Sequence, residues 1–225
     1  MIVIVDYGMG NLGSIANMLK HIGAPAVVTN DPAQIESADR LILAGVGAFD
    51  AGMERLHALN LIPLLERKVL AEGTPFIGIC LGMQLLARCS EEGRLPGLGW
   101  LEAETLRFDF EAPAPYEAGA PYEAGAPFGG HAPRRLRVPH MGWNEICVQR
   151  DHPLLADLGE EPRFYFVHGY YVQCREPGAV LATTEYGLPF HSILGRGNIV
   201  GTQFHPEKSH RYGRRILENF AGWTP

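Results

Sequence analysis

The stretch Thr74-Pro75-Phe76-Ile77-Gly78-Ile79-Cys80-Leu81-Gly82-Met83-Gln84-Leu85-Leu86-Ala87 narrows the folds open to this chain more than any other part of it. A short apolar run reads as a buried strand, Gly78 to Gly82 as a sharp turn, and Met83 to Arg88 as the helix that follows. Such a junction belongs at the carboxyl edge of a sheet. Glycines two residues either side of Cys80 permit a bend that larger side chains would block, and the thiol projects from the edge. A sulfur at a helix N-terminus is favoured as thiolate by the helix dipole and free N–H groups, and the Leu81 N–H is placed to bind the oxyanion of an attacked carbonyl. The alternative is a buried, inert cysteine; the flanking glycines and the strand-turn-helix context argue against it.

A thiol nucleophile needs a base, and Gly201-Thr202-Gln203-Phe204-His205-Pro206-Glu207-Lys208 supplies one just after the apolar run Asn198 to Val200. Pro206 pushes His205 into an extended conformation, so His205 and Glu207, two apart, point the same way and the carboxylate can hold the imidazole. Cys80, His205 and Glu207 then form a nucleophile, base and orienter set brought together by the fold. Alone, His-Pro-Glu is more often a turn; beside the elbow it is chemically complementary.

The rest of the pattern fits the same architecture. Ile2 to Val5, Ala26 to Thr29 and Arg40 to Leu43 read as strands, alternating with helices at Leu12 to Ile22, Pro32 to Ser37, and Met53 to Ala71 with a break near Asn60. That rhythm means a parallel sheet with helices on both faces. Leu95 to Trp100 returns the chain to β structure. Leu136 to Val148, Arg163 to Val172, Ala179 to Thr184, Phe190 to Leu194 and Asn198 to Gln203 read as further strands, with hairpin turns at Tyr186-Gly187 and Gly195-Arg196-Gly197, and Lys208 to Phe220 as a closing helix. The expected fold is an α/β three-layer sandwich: a central mixed, mostly parallel sheet flanked by helices, with the nucleophile elbow at the C-terminal edge of a strand.

Two loops bear on chemistry. Glycines on both sides of Val46 let its peptide flip, so its N–H can complete an oxyanion hole with that of Leu81; an ordinary βα turn is the alternative. Gly8-Met9-Gly10-Asn11-Leu12-Gly13 matches the dinucleotide fingerprint, and Asp31 lies close to the place of a ribose-binding acid. Asp6 and Tyr7 intervene between the strand and its first glycine, which favours a loop that shapes the active site. Gln84, four residues on from Cys80 on the same helix face, can reach a substrate held at the sulfur.

The elbow Gly78 to Gln84 together with Gln203 to Ser209 resembles the class I (triad) glutamine amidotransferases. Asp6-Tyr7-Gly8-Met9-Gly10-Asn11, Pro139-His140-Met141-Gly142-Trp143-Asn144 and Phe164-Tyr165-Phe166-Val167-His168 are similar to the glutaminase subunits of imidazole glycerol phosphate synthases within that family. The resemblance covers nearly all of the chain outside Asp109 to Arg135. It implies a glutaminase acting through Cys80, His205 and Glu207. It also implies that Gly47, Gln84 and Glu92 contact the carboxylate or ammonium end of glutamine; Glu92 is equally readable as a solvated acid. The family loop usually opens with proline where this chain has Ala44. The resemblance further implies a heterodimer partner that receives the ammonia, a separate (β/α)₈-barrel cyclase subunit. His140, Trp143, Tyr165, His168 and Tyr170 would lie near that partner, with plain packing as the other reading. No cofactor or metal is called for.

Composition sets the remaining limits. The 225 residues suffice for one core, and residues 1–225 are expected to form one domain. A formal charge of −6 with scattered basic residues offers no footprint for nucleic acid. No apolar run reaches the length of a membrane span, and a cytoplasmic location is expected. Cys80, Cys89, Cys147 and Cys174 show no paired spacing, against zinc or a disulfide framework. In Asp109 to Arg135 the hexapeptide Pro-Tyr-Glu-Ala-Gly-Ala occurs twice, from Pro115 and from Pro121, and reads as a low-complexity surface insertion. Two other functions stay open at this point: a cysteine hydrolase of other γ-glutamyl compounds, and a nucleotide-binding protein in which Cys80 is idle.

Overall fold

The computed structural model describes residues 1–110 and 136–225; most of the expected insertion, residues 111–135, lies outside the described residues. The first half alternates strand and helix: β1 (Ile2–Val5), α1 (Leu12–His21), β2 (Ala26–Thr29), α2 (Pro32–Glu36), β3 (Arg40–Gly45), α3 (Phe49–Ala58), α4 (Ile62–Glu66), β4 (Phe76–Cys80) and α5 (Leu81–Leu85). The second half is dominated by strands: β5 (Cys89–Ser90), β6 (Ala103–Arg107), β7 (His140–Glu145), β8 (Cys147–Val148), β9 (Arg163–His168), β10 (Tyr170–Cys174), β11 (Val180–Glu185), β12 (Pro189–Arg196) and β13 (Ile199–Thr202), closed by α6 (His210–Gly222).

One sheet runs in the order β2-β1-β3-β4-β13-β12-β10-β6-β5, with β11 on β12 and β8 on β11. From β2 to β13 every neighbour is parallel; beyond β13 the hairpins make the pairing antiparallel, with β5 and β6 parallel again. Strands buried on both faces explain the unbroken apolar runs. Val3, Val5, Leu41 and Leu43 join one core with Phe49, Met53, Leu65 and Leu85; Ile2, Ile4, Ile42 and Ala44 join a second with Ile15, Leu19, Ile216 and Phe220. Alternate residues of β1 and β3 thus feed opposite faces, giving three layers with α2 to α5 on one side and α1 and α6 on the other.

Several boundaries differ from expectation. The elbow helix runs over Leu81–Leu85, not Met83 to Arg88. It stops because the carbonyls of its end are taken from outside: Leu98 N–H donates to Leu85 O, Leu101 N–H to Leu86 O, Gly99 N–H to Ala87 O and Gly97 N–H to Arg88 O. The same bonds keep Leu95 to Trp100 irregular rather than β. Arg163 to Val172 is two strands in two sheets. Among the described residues β9 pairs only with β7, whereas β10 joins the main sheet, and the corner at Gly169 is closed by His168 Nδ1 donating to Tyr170 O at 2.8 Å. The long helix breaks at Asn60, which adopts φ 50, but begins earlier, at Phe49. Pro206–Lys208 is a separate 3₁₀ turn before α6.

Candidate active site

The site forms where β1, β3, β4 and β13 end side by side. Gly45 pairs with Cys80, and Thr202 with Ile79, so the loop after β3, the elbow after β4 and the segment Gln203 to Glu207 leave the sheet together. Cys80 adopts φ 54, ψ −107 and is 6% exposed. The strained residue is therefore the cysteine itself. The flanking glycines serve another purpose, which is close approach: a Cβ on Gly82 would collide with Leu43 O, and one on Gly78 would lie 2.6 Å from Gly82 O. Without them α5 could not lie across β3 and β4, and the sulfur would not reach the helix start. Leu81 is the first residue of α5, where an N–H has no acceptor within the helix.

His205 is 3% exposed, and its Nδ1 lies 2.8 Å from Glu207 Oε1. Its backbone is pinned to β9: His205 N–H donates to Tyr165 O, and Ser209 Oγ donates to His205 O at 2.6 Å while accepting from Tyr165 N at 2.9 Å. With Nδ1 committed to the carboxylate, Nε2 is left for chemistry; it makes no hydrogen bond among the described residues. Burial pushes the His205 imidazolium down, but Cys80 and Glu207 more than offset it, and the outcome is a rise to about 10.

The other expected residues fall into two groups. Val46, 46% exposed, and Gly47, at φ 125, follow β3 directly and so lie beside the elbow. The glycine-rich turn after β1 packs on this loop, since a Cβ at Gly10 would meet Gly45 Cα at 3.1 Å and Val46 N at 3.2 Å. Gln84 is buried and faces inward, bonded to Tyr170 O and to Gln203 Oε1. Glu92 is farther from the sulfur in bonding terms: its Oε2 accepts from Phe49 N at 2.8 Å, at the first residue of α3, which steadies the far end of the Val46 loop. Two residues went without a role in the sequence. Tyr7 is fully buried with its hydroxyl unpartnered among the described residues, and burial, then the charge of Cys80, push its phenol upward. Gln203 Nε2 lies 3.8 Å from Cys80 Sγ. Both flank motif residues, but only a long-range contact reveals them.

A thiol on a strand-to-helix elbow, with an imidazole–carboxylate pair in the segment that follows the neighbouring strand, fits the class-I glutamine amidotransferases. The family profile described as "Glutamine amidotransferase class-I" matches residues 3–222. The sequence is 47% identical over 220 residues to imidazole glycerol phosphate synthase subunit HisH 2 of Methanococcus maripaludis, covering 98% of each chain. It is 42% identical over 223 residues to the protein of that name in Pseudomonas aeruginosa, again covering 98% of each. The chain belongs to the class-I glutamine amidotransferase family and, within it, to the HisH family of imidazole glycerol phosphate synthase subunits. The fold is shared more widely. A glutamine amidotransferase crystal structure superposes with a TM-score of 0.65 at 22% identity, over 99% of this chain and 100% of that one.

Proposed function

We propose that this chain is the glutaminase subunit of an imidazole glycerol phosphate synthase, hydrolysing glutamine to glutamate and ammonia for histidine biosynthesis. Near full-length similarity to HisH subunits supports the class of reaction. The observation that carries the mechanism is the positive φ of Cys80 beside an imidazole already tied to Glu207. The Cys80 thiolate attacks the side-chain carbonyl carbon of glutamine, forming a C–S bond and an oxyanion that the N–H groups of Leu81 and Val46 receive. His205 gives its Nε2 proton to the departing nitrogen as the C–N bond breaks, releasing ammonia and leaving a thioester. Neutral His205 then takes a proton from water as that water attacks; collapse breaks the C–S bond, releases glutamate and restores thiolate and imidazolium. Gly47, Gln84 and Glu92 are assigned to holding the substrate, Glu92 by way of the loop it steadies.

The acceptor of the ammonia is a separate (β/α)₈-barrel cyclase subunit, which makes imidazole glycerol phosphate and an aminoimidazole carboxamide ribonucleotide. β7 offers its docking face: Met141 and Trp143 are 62% and 47% exposed on one side, while His140 packs inward on the other. Residues 1–225 act as one domain. Among the described residues no helix is long and apolar enough to cross a membrane, and a cytoplasmic location is part of the proposal. The test is glutamine hydrolysis with and without the purified barrel protein and its ribonucleotide. Hydrolysis stimulated by both supports the reading; equal turnover of other γ-glutamyl amides with no response to the barrel overturns it.

A further inference from the structure

Between the Cys80 sulfur and the two-stranded sheet runs a buried chain of hydrogen bonds whose direction is fixed by one unambiguous group. The backbone carbonyl of Tyr170 can only accept, and it accepts from His168 Nδ1 at 2.8 Å and from Gln84 Nε2 at 3.1 Å. Gln84 is thereby oriented with its nitrogen inward, and the same nitrogen donates to Gln203 Oε1 at 3.3 Å. With its oxygen engaged, Gln203 turns Nε2 toward Cys80 Sγ at 3.8 Å. On the other side, His168 has spent its proton at Nδ1 and can only accept at Nε2, where His140 Nδ1 stands at 3.0 Å. His140 Nε2 then accepts from Asn144 Nδ2 at 3.3 Å, and Asn144 Nδ2 also donates to Glu185 O at 2.9 Å. Reversing Gln84 would set its Oε1 against Tyr170 O and Gln203 Oε1, and reversing Gln203 would set two amide nitrogens against each other and present Oε1 to the sulfur.

We propose that Gln203 is a further catalytic residue, donating from Nε2 to the Cys80 sulfur, and that Gln84 and His168 are positioning residues that lock its amide in the donating orientation. The donor stabilises the thiolate before attack and again as the thioester breaks. Burial holds His140 down to about 4 and His168 down to about 3, so both stay neutral at working pH and the direction of the chain does not change. The titratable groups facing the sulfur are His205 and Tyr7, with Glu207 behind His205, and none is altered in the variants below. The proposal rests on Cys80 as the nucleophile of the proposed function.

Alkylation of the full chain by iodoacetamide across a pH series, read by mass on the Cys80 peptide, tests it without glutamine or partner. Exposed Cys89 and Cys147 react separately and do not interfere. Gln203→Met keeps the volume and removes the donor; its alkylation midpoint should rise by about one pH unit, a roughly tenfold loss of thiolate below the midpoint. Gln84→Met and His168→Leu should shift the midpoint the same way by less, and His168→Asn, whose amide nitrogen can take the place of Nδ1, should restore it. Melting temperatures identify folded variants, and Gln203→Asn, which draws the donor back from sulfur, replaces Gln203→Met if that variant does not fold. A wild-type midpoint in the Gln203 variants overturns the catalytic assignment. A shift there with wild-type midpoints in both Gln84→Met and His168→Leu overturns the positioning assignment. Failure of the glutaminase reading would show in the glutamine assay and leave these midpoints unaffected.

Discussion

At the scale of single residues, strain and chemistry coincide at Cys80. A non-glycine at φ 54 and ψ −107 costs on the order of 1–3 kcal/mol, held in place by the packing of α5 on β3 and β4. Cys80→Ala and Cys80→Gly should both abolish glutamine hydrolysis and remain folded, and Cys80→Gly should be the more stable by about 1 kcal/mol in denaturant titration. Equal stabilities would mean that the surroundings relax around the elbow. His205→Ala should remove most of the rate and Glu207→Gln less, because the carboxylate at 2.8 Å orients the ring without touching substrate; steady-state kinetics that rank them the other way would make Glu207 a proton carrier. The proposed triad could be placed from the sequence because each member sits in a distinctive local pattern: glycines around the thiol, Pro206 between His205 and Glu207. The left-handed cysteine could not, since glycine is the residue that usually takes that conformation. Nor could the Tyr7 hydroxyl or the Gln203 amide, whose surroundings come from other strands.

At the scale of elements, the fully buried parallel strands were legible as apolar runs, and β1 and the partly exposed edge strand β2 fall within the expected bounds. Legibility failed where tertiary hydrogen bonds override pattern: the loop that ends α5, and the corner that splits β9 from β10. That corner also makes the β7–β9 pair pH-sensitive. His140 and His168, paired across the two strands, are 3% and 5% exposed, and burial lowers them from 6.5 to about 4 and about 3. A histidine lowered on folding takes up its proton only when the chain unfolds. The stability it contributes is complete above 6.5 and is lost as pH falls toward the folded value, at about 1.4 kcal/mol per pH unit for each histidine. Chemical denaturation between pH 7 and pH 4 should show this decline, and the double variant His140→Gln, His168→Asn should have a flatter profile. Parallel profiles would mean that other groups set the acid limb.

At the scale of the whole molecule, the sheet delivers its strand ends to one edge, and the β7–β9 pair stands beside that edge as a separate layer. Deleting Pro115 to Ala126 should leave melting temperature and glutamine turnover nearly unchanged, because a composition rich in Pro, Gly and Ala offers little apolar surface to bury; a lower melting temperature would make the segment structural. The partner surface makes the stronger prediction. Trp143 stacks flat on His210, with ring centroids 5.3 Å apart and planes within 3°, and so is held in one orientation although nearly half exposed. A preordered aromatic beside an exposed methionine is the composition of an interface hot spot, since little side-chain entropy remains to be lost on docking. In the proposed function ammonia leaving Cys80 enters the barrel rather than solvent, so the docking face should lie near the strand ends, and β7 is linked to them: His140 and Asn144 on its inner side reach Gln203 through the hydrogen bonds of His168, Tyr170 and Gln84. Placing a charge in that face, as Met141→Glu or Trp143→Glu, should weaken association with the barrel protein by about thirtyfold or more, corresponding to roughly 2 kcal/mol. Calorimetric titration of the folded variants measures it, and the gain in glutamine hydrolysis on adding the barrel should fall in parallel. Undiminished affinity in both variants would move the docking surface off β7.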